Sequence, residues 1–389
     1  MELAVLLQAL VRIPSPNPPG DTRTISEYIA NCLRASACTV TTLASSQKPE
    51  AVSVIASHGH GDPVIMFHAH IDTVPIADEE AKRWTVAPYA AEIRDGRLYG
   101  KGSIDDKAPL AAMMQVLLEL TTQAHHGTLV LVAAAEEEVG GQLGTRWLAA
   151  NGHLPNCDFI VVGEQTANRI ATAHKGVLRA TVQATGRSVH ATNPDRGVNA
   201  ISAMARAVLA LERYHELLRS RNHPLVGHPT CNVGVIRGGS TANAVPDSCV
   251  AYLDRRMIPG EDPEQVKDEL RAVIAAVVVG KAQLTVGDFL VSNWFDSTCD
   301  SALARVFLTS VSDQLQADPG PVGYLPGSDA KHLVGLAKAK HGEIVIFGPG
   351  SYEVAHAFDE YVNLAELDDT AAILRRFMQH TLLDQGSLT

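Results

Sequence analysis

Leu129-Val130-Leu131-Val132-Ala133-Ala134-Ala135-Glu136-Glu137-Glu138-Val139-Gly140-Gly141 is the stretch that decides the fold. Its first seven residues form a short, continuous apolar run, and a glycine pair soon follows. That pattern reads as a strand buried on both faces, of the kind used in parallel α/β sheets. Three carboxylates at the mouth of such a strand repel one another and lose hydration, so a cationic group should compensate them. Taken alone, an acidic triplet is more often a solvated surface cluster. Recurrence of the same arrangement along the chain argues against that reading here.

Pro63 to Phe67 is apolar and runs into His68, His70 and Asp72, which strand alternation places on one face. Phe159 to Val162 runs into Gly163 and Glu164. Gly342 to Phe347 contains the strand Ile344-Val345-Ile346 and leads through a Gly/Pro loop to His356. Tyr99 to Asp106 sets Asp105 and Asp106 before an apolar helical stretch, Leu110 to Leu120. Open α/β sheets bind ligands beyond the carboxyl ends of their strands. These segments together deliver more His, Asp and Glu to that edge than one tetrahedral zinc needs.

The chain has 389 residues, too many for one average core, and suits two domains. Apolar residues make up 46% and charged residues 19%, a soluble globular composition. A net charge of −11 without a basic tract argues against nucleic-acid and anionic-membrane partners. The six cysteines follow no zinc-finger or redox spacing and read as reduced thiols of a cytosolic enzyme. Leu3, Leu6, Leu7, Leu10 and Val11 have helical spacing. Glu2 opens this segment where a signal peptide would be basic, and no stretch reaches the ~18 apolar residues of a membrane span. The expectation is a cytoplasmic protein.

Near Lys175 the pattern changes. Before it, apolar strands alternate with helical stretches such as Ile25 to Leu33, as in βαβ units. After it come a half-buried alternating strand, Val177 to Ala184, a helix over Val198 to Leu218, strands at Cys231 to Ile236 and Val250 to Leu253, a helix over Pro263 to Val278 and a strand, Gln283 to Val286. The order βαββαβ predicts a small ferredoxin-like α+β domain over 177–289. It interrupts a larger α/β domain made of 1–176 and 290–389.

These residues resemble the co-catalytic di-zinc amidohydrolase and metallopeptidase family that includes acetylornithine deacetylase, succinyl-diaminopimelate desuccinylase, aminoacylase and carboxypeptidase G. The motifs that carry the resemblance occur in order along nearly the whole chain: Ser15-Pro16-Asn17-Pro18-Pro19-Gly20, His70-Ile71-Asp72-Thr73-Val74-Pro75 and Tyr99-Gly100-Lys101-Gly102-Ser103-Ile104-Asp105-Asp106-Lys107. The glutamate triplet, Gly163-Glu164, Gly186 to His190, Gly197-Val198-Asn199-Ala200 and Asn243-Ala244-Val245-Pro246 follow. Asp254-Arg255-Arg256, Gly327-Ser328-Asp329-Ala330 and His356 to Glu360 complete the series.

The resemblance implies a mixed-sheet zinc-peptidase catalytic domain, with the small domain serving as a dimerisation lid. It implies two divalent metal ions, Zn2+ first, with Co2+ or Mn2+ as substitutes. His70, Asp105 and Glu164 would hold one ion, and Glu138 and His356 the other, with Asp105 bridging. Asp72 would orient the His70 imidazole, and Glu137 would be the general base. His190 would act in trans on the other subunit of a homodimer; without the motif it would be an ordinary loop histidine. Arg256, Asn243, Gly327 and Ser328 would contact substrate, an ordinary surface ion pair being the lesser alternative for the arginine. Arg255 and Arg256 point to opposite faces of a strand, so one of them faces the ligand, and the motif register favours Arg256. His68 reads as a packing or supporting histidine, Glu136 as outer support and Asp329 as a loop-shaping residue. The implied reaction is hydrolysis of the amide of an N-acyl amino acid. Asp105-Asp106-Lys107 keeps a dipeptidase or carboxypeptidase open as the alternative. A non-catalytic metal-binding scaffold would have no use for Glu137.

Overall fold

The computed structural model describes residues 2–318, 320–338 and 343–383, so Gly342 lies outside them. The chain divides into two compact units. The first comprises Met1–Thr172, Ser297–Tyr324 and Ser328–Thr389; the second comprises Ala173–Asp296 and Leu325–Gly327.

The first unit is built on a mixed sheet. Its strands run in the order Thr39–Leu43, Ser53–His60, Gly127–Ala134, Val64–His70, Phe159–Gly163, Glu343–Phe347 and Ala171–His174, the last of which carries the chain out of the unit. The apolar runs noted in the sequence are the central strands: Val64–His70 pairs in parallel with both Gly127–Ala134 and Phe159–Gly163, and Glu343–Phe347 pairs in parallel with Phe159–Gly163. Strands covered on both faces need no polar alternation, which is why these runs are continuous. The outer strand Ser53–His60 pairs antiparallel to Gly127–Ala134.

Helix Lys107–Leu120 is apolar nearly all round and is buried over most of its length. Helix Arg23–Arg34 buries one face, Ile25, Ser26, Ile29, Ala30 and Leu33. Phe159 and Phe347 from two strands meet Phe307 and Phe377 from helices Ala302–Leu315 and Leu364–Met378, with ring centroids 5.0 to 5.6 Å apart and tilted or edge-on. The four parallel strands therefore end at one edge, in His70, Ala134, Gly163 and Phe347. The residues that follow them form the site.

The second unit is a four-stranded antiparallel sheet in the order Thr230–Gly238, Ser248–Met257, Gly176–Thr185 and Gln283–Ser292. It carries helices Ala200–Leu218 and Pro263–Ala275. Along Gly176–Thr185, Leu178, Ala180, Val182 and Ala184 are buried beneath these helices, as the alternation requires. The helices start where their caps dictate: Asn199 Oδ1 accepts the Ser202 N–H at 3.0 Å, and Asp262 Oδ1 accepts the Glu264 N–H at 3.0 Å. The second helix stops at Ala275, short of the Val278 that apolar periodicity suggests. Val277, Val278 and Val279 are β-branched, and Val278 is 83% exposed, so no packing sustains a further turn there. Among the described residues, no helix is long and apolar enough to cross a membrane.

Candidate metal centre

His70 ends its strand with the ring buried. Its Nδ1 lies 2.9 Å from the main-chain carbonyl of Asp72, which can only accept, so Nδ1 carries the proton and Nε2 points at Asp105 Oδ1, 2.9 Å away. The Asp72 carboxylate lies 3.7 Å from the same Nδ1 and spends its bonds elsewhere. Its Oδ1 accepts the Glu137 N–H at 3.1 Å, and its Oδ2 accepts the Glu138 N–H at 3.2 Å. Asp72 thus ties the imidazole through its main chain and the glutamate turn through its side chain. That turn is a short 3₁₀ segment, Glu137–Val139, entered through Glu136 at φ +77°.

Asp105 sits after Gly102 in a loop held from behind. Glu360 Oε1 accepts the N–H groups of Ile104 and Asp105 at 3.1 and 3.3 Å, and its Oε2 lies 3.2 Å from the buried Lys101 ammonium. The Asp105–Asp106 peptide is cis. Asp106 Oδ2 accepts the His70 N–H at 3.1 Å. One oxygen of Asp105 thus faces His70. The other lies 3.0 Å from His356 Nε2, which is in turn 3.2 Å from Glu138 Oε2. Glu164 caps the adjacent strand, and Tyr324 Oη lies 2.9 Å from Glu164 Oε2 and 2.8 Å from Gln165 Oε1.

Two donor groups result, His70–Asp105–Glu164 and Asp105–Glu138–His356. Within each, one ligand atom from every residue lies within 4.8 Å of the others. Each offers one imidazole nitrogen and carboxylate oxygens, with Asp105 common to both. This nitrogen and oxygen set fits borderline divalent ions such as Zn2+, Co2+ or Mn2+, and a shared carboxylate suits two of them side by side.

The electrostatics point the same way. Burial, with Asp106 and Asp105 beside it, pushes the Glu164 carboxyl well above its ordinary value. Burial and then Asp105 raise Glu138. The Glu137 carboxyl is pushed up to about 8, chiefly by burial, against the pull of Lys331. Asp105 moves the other way: burial alone would raise it, but hydrogen bonds to His356 and His70 hold it well below the carboxylate range. Those bonds to Asp105 and Glu138 lift His356 to about 10. The two imidazoles share only part of the negative charge of this cluster, a mismatch that divalent cations resolve.

The residues expected to support the site also have places. His68 is buried and lies 2.8 Å from Thr145 Oγ1, which donates to Asp329 Oδ2 at 2.6 Å; burial lowers its pKa to about 4, so it is a neutral packing group. Ser328 is fully buried, with Oγ accepting the Ala330 N–H at 3.3 Å. Sequence reasoning passed over Lys331, whose ammonium lies 3.8 Å from Glu137 Oε1, and Tyr324, Gln165 and Lys48. No motif marks these four positions.

His190, Asn243, Arg256 and Gly327 belong to the second unit. His190 Nδ1 accepts the Thr192 N–H at 3.2 Å, so the neutral ring carries its proton on Nε2. The Asn243 carbonyl accepts the Ala191 N–H at 2.9 Å, which lays the Asn243 segment beside the His190 loop. Arg255 is fully buried and bonded to Glu261 and Tyr214, whereas Arg256 is partly exposed and paired with Asp254 at 2.7 Å.

The sequence profile of Peptidase family M20/M25/M40 matches residues 66–380. An acetylornithine deacetylase from Edwardsiella ictaluri is 30% identical over 335 residues, covering 84% of this chain and 83% of its own. A probable succinyl-diaminopimelate desuccinylase from Staphylococcus aureus is 30% identical over 338 residues, covering 80% and 81%. Among solved structures, a tripeptidase from Staphylococcus aureus superposes with a TM-score of 0.76 at 23% identity, covering 97% of each chain. The chain belongs to Peptidase family M20/M25/M40.

Proposed function

We propose that this amidohydrolase removes the acyl group from a small N-acyl amino acid, using two Zn2+ ions held by the paired donor groups. One observation carries the reading: Glu137 belongs to neither donor group, yet its buried carboxyl feels the charges of His70 in one and Glu138 in the other. A purely structural site has no use for such a carboxylate. Divalent ions bound there would acidify a water and polarise the substrate carbonyl. Glu137 would take a proton from the attacking water and deliver it to the departing nitrogen. His70, Asp105, Glu164, Glu138 and His356 would hold the ions, while Asp72 fixes the imidazole and the main chain under Glu137.

The remaining roles fall to His190, Arg256, Asn243 and Gly327 of the second unit and to Ser328 of the first. His190, with its proton on Nε2, donates to the developing oxyanion from the other subunit of a homodimer. Arg256 grips the substrate carboxylate, and Asn243 and the Gly327-Ser328 segment add hydrogen bonds to the substrate. The deacylase names of the curated relatives support acyl amino acids as substrates. The six free cysteines support a cytoplasmic location. The same apparatus would cleave a dipeptide, the alternative reading. A panel of N-acetyl and N-succinyl amino acids set against dipeptides, with the zinc-loaded enzyme, decides between them. Hydrolysis of acyl amino acids at the higher kcat/KM is the expected result. Hydrolysis of dipeptides alone would overturn the deacylase assignment.

A further inference from the structure

The Ser15-Pro16-Asn17-Pro18-Pro19-Gly20 loop takes no part in the chemistry above, yet it is built into the floor of the site. Ser15 Oγ donates to the Ile71 carbonyl at 2.6 Å. The Thr73 N–H donates to the Ser15 carbonyl at 3.0 Å, and the Asn17 N–H donates to the Thr73 carbonyl at 2.8 Å. The loop thus runs parallel to the segment that carries Asp72, with Pro16 facing Thr73. This places the buried Asn17 amide between two buried carboxylates: Nδ2 donates to Asp72 Oδ2 at 2.8 Å and to Glu136 Oε1 at 3.2 Å.

A cation completes the arrangement. Lys48 forms an ion pair with Glu136 and donates to Asn17 Oδ1 at 3.4 Å. Gly20, at φ +82°, leaves room for it, since a Cβ there would collide with the Lys48 ammonium and the Asn17 amide oxygen. The side chains of Lys48 and Glu136 are 19% and 5% exposed, so the pair is poorly screened by solvent. Contacts therefore run without a break from Lys48 through Glu136 and Asn17 to Asp72, and from Asp72 to the main-chain N–H groups of Glu137 and Glu138.

We propose that Asn17 and Lys48 are positioning residues for Glu137: the Asn17 amide bridges the Asp72 and Glu136 carboxylates, Lys48 offsets their charge, and the Asp72 end fixes the turn that aims the base. The proposal rests on the amidohydrolase reading. Without Lys48, Glu136 is left as a buried charge beside Asp72, and breaking a buried pair is far more damaging than removing both partners.

The test uses the full-length, metal-loaded enzyme and reads kcat, KM, bound metal and thermal midpoint together. Lys48→Met should lower kcat about tenfold with KM within about twofold and the metal retained, the signature of a misaimed base rather than a lost binding contact. Lys48→Arg should keep most of the rate. The double variant Lys48→Met/Glu136→Gln should recover to within about threefold of wild type, because it removes both charges. Recovery in the double variant keeps the test decisive even if Lys48→Met alone folds poorly. Asn17→Asp, which exchanges a donor for a third carboxylate, should also lower kcat. Wild-type kcat in Lys48→Met, or a double variant no faster than Lys48→Met, would overturn the proposal. Glu137→Gln run in parallel separates the two ideas: retained kcat there defeats the hydrolytic reading itself, whereas lost kcat there with an unaffected Lys48→Met defeats only the positioning role.

Discussion

The Lys331 ammonium lies 3.8 Å from Glu137 Oε1 and donates to the Ser328 carbonyl at 2.8 Å, with its side chain only 3% exposed. Burial pushes the Glu137 carboxyl up to about 8, and Lys331 is the leading influence that lowers it. A general base works only when ionised, so kcat/KM falls as pH drops through its pKa. Lys331→Met removes the neighbouring cation that favours the carboxylate, so the base titrates at higher pH. The acidic limb of the pH–rate profile should therefore move toward alkaline pH. A profile that keeps its acidic limb in place would show that Lys331 serves the loop alone.

Glu137→Gln keeps the size and shape of the side chain and abolishes the base. The proposed ligands His70, Asp105, Glu164, Glu138 and His356 are untouched, so the metal content should be that of the wild type. Loss of one positioned general base corresponds to roughly 10²–10⁴-fold in kcat. Single-turnover kinetics alongside metal analysis check this, and a near-wild-type kcat would remove Glu137 from the mechanism.

Asp105 is the residue common to both donor groups, whereas His356 and Glu164 each belong to one. On the proposed two-ion reading, Asp105→Ala should therefore weaken both ions, and His356→Ala or Glu164→Ala only one. Metal-to-protein ratios after dialysis against a weak chelator should fall from two toward zero in the first case and toward one in the others. Equal loss in all three variants would mean that the ions bind as a single cooperative unit.

Much of this centre was legible because it obeys two strong regularities. Buried parallel strands erase polar alternation, so Leu129–Ala135, Phe159–Val162 and Ile344–Ile346 stand out as apolar runs. The sheet topology then brings the acidic residues and histidines after them to one edge. What escaped was the support. Lys48 meets Glu136 across 88 positions, and Tyr324 meets Glu164 across 160. A single lysine or tyrosine in a loop has no period and no motif, and its partner is fixed only once the chain has folded. The stop of helix Pro263–Ala275 at Ala275 escaped for a local reason, since apolar spacing through Val278 matches a helix even where no surface is present to bury it.

Arg255 and Arg256 are adjacent in sequence but should respond oppositely to mutation. Arg255 is buried, with its guanidinium bonded to Glu261 at 2.6 Å and to Tyr214 at 3.2 Å. Arg255→Ala strips Glu261 of its buried partner and leaves it only the more exposed Arg221, 2.8 Å away, so the loss should be a part of the about 3–5 kcal/mol that breaking a buried pair costs. Denaturant unfolding should show this as a reduced midpoint. Arg256, partly exposed and held by Asp254, should leave the midpoint almost unchanged on substitution by Ala, since exposed pairs contribute about 0–1 kcal/mol. Its effect should be a raised KM for substrates with a free carboxylate and little change for their methyl esters. An Arg256→Ala enzyme that binds acids and esters as the wild type does would exclude it from carboxylate recognition.

Subunit mixing tests the trans role of His190. The Thr192 N–H occupies Nδ1, so the ring presents only its Nε2–H as a donor. If that donor serves the partner's metal centre, a His190→Ala subunit keeps a sound Glu137 but lacks a donor, and a Glu137→Gln subunit has the reverse defect. A heterodimer of the two joins an intact Glu137 with an intact His190 at one of its two sites. Each homodimeric variant should be nearly inactive, and differently tagged heterodimers, purified through both tags, should regain part of the wild-type kcat. If verified heterodimers stay as inactive as the parents, His190 acts within its own chain or not at all.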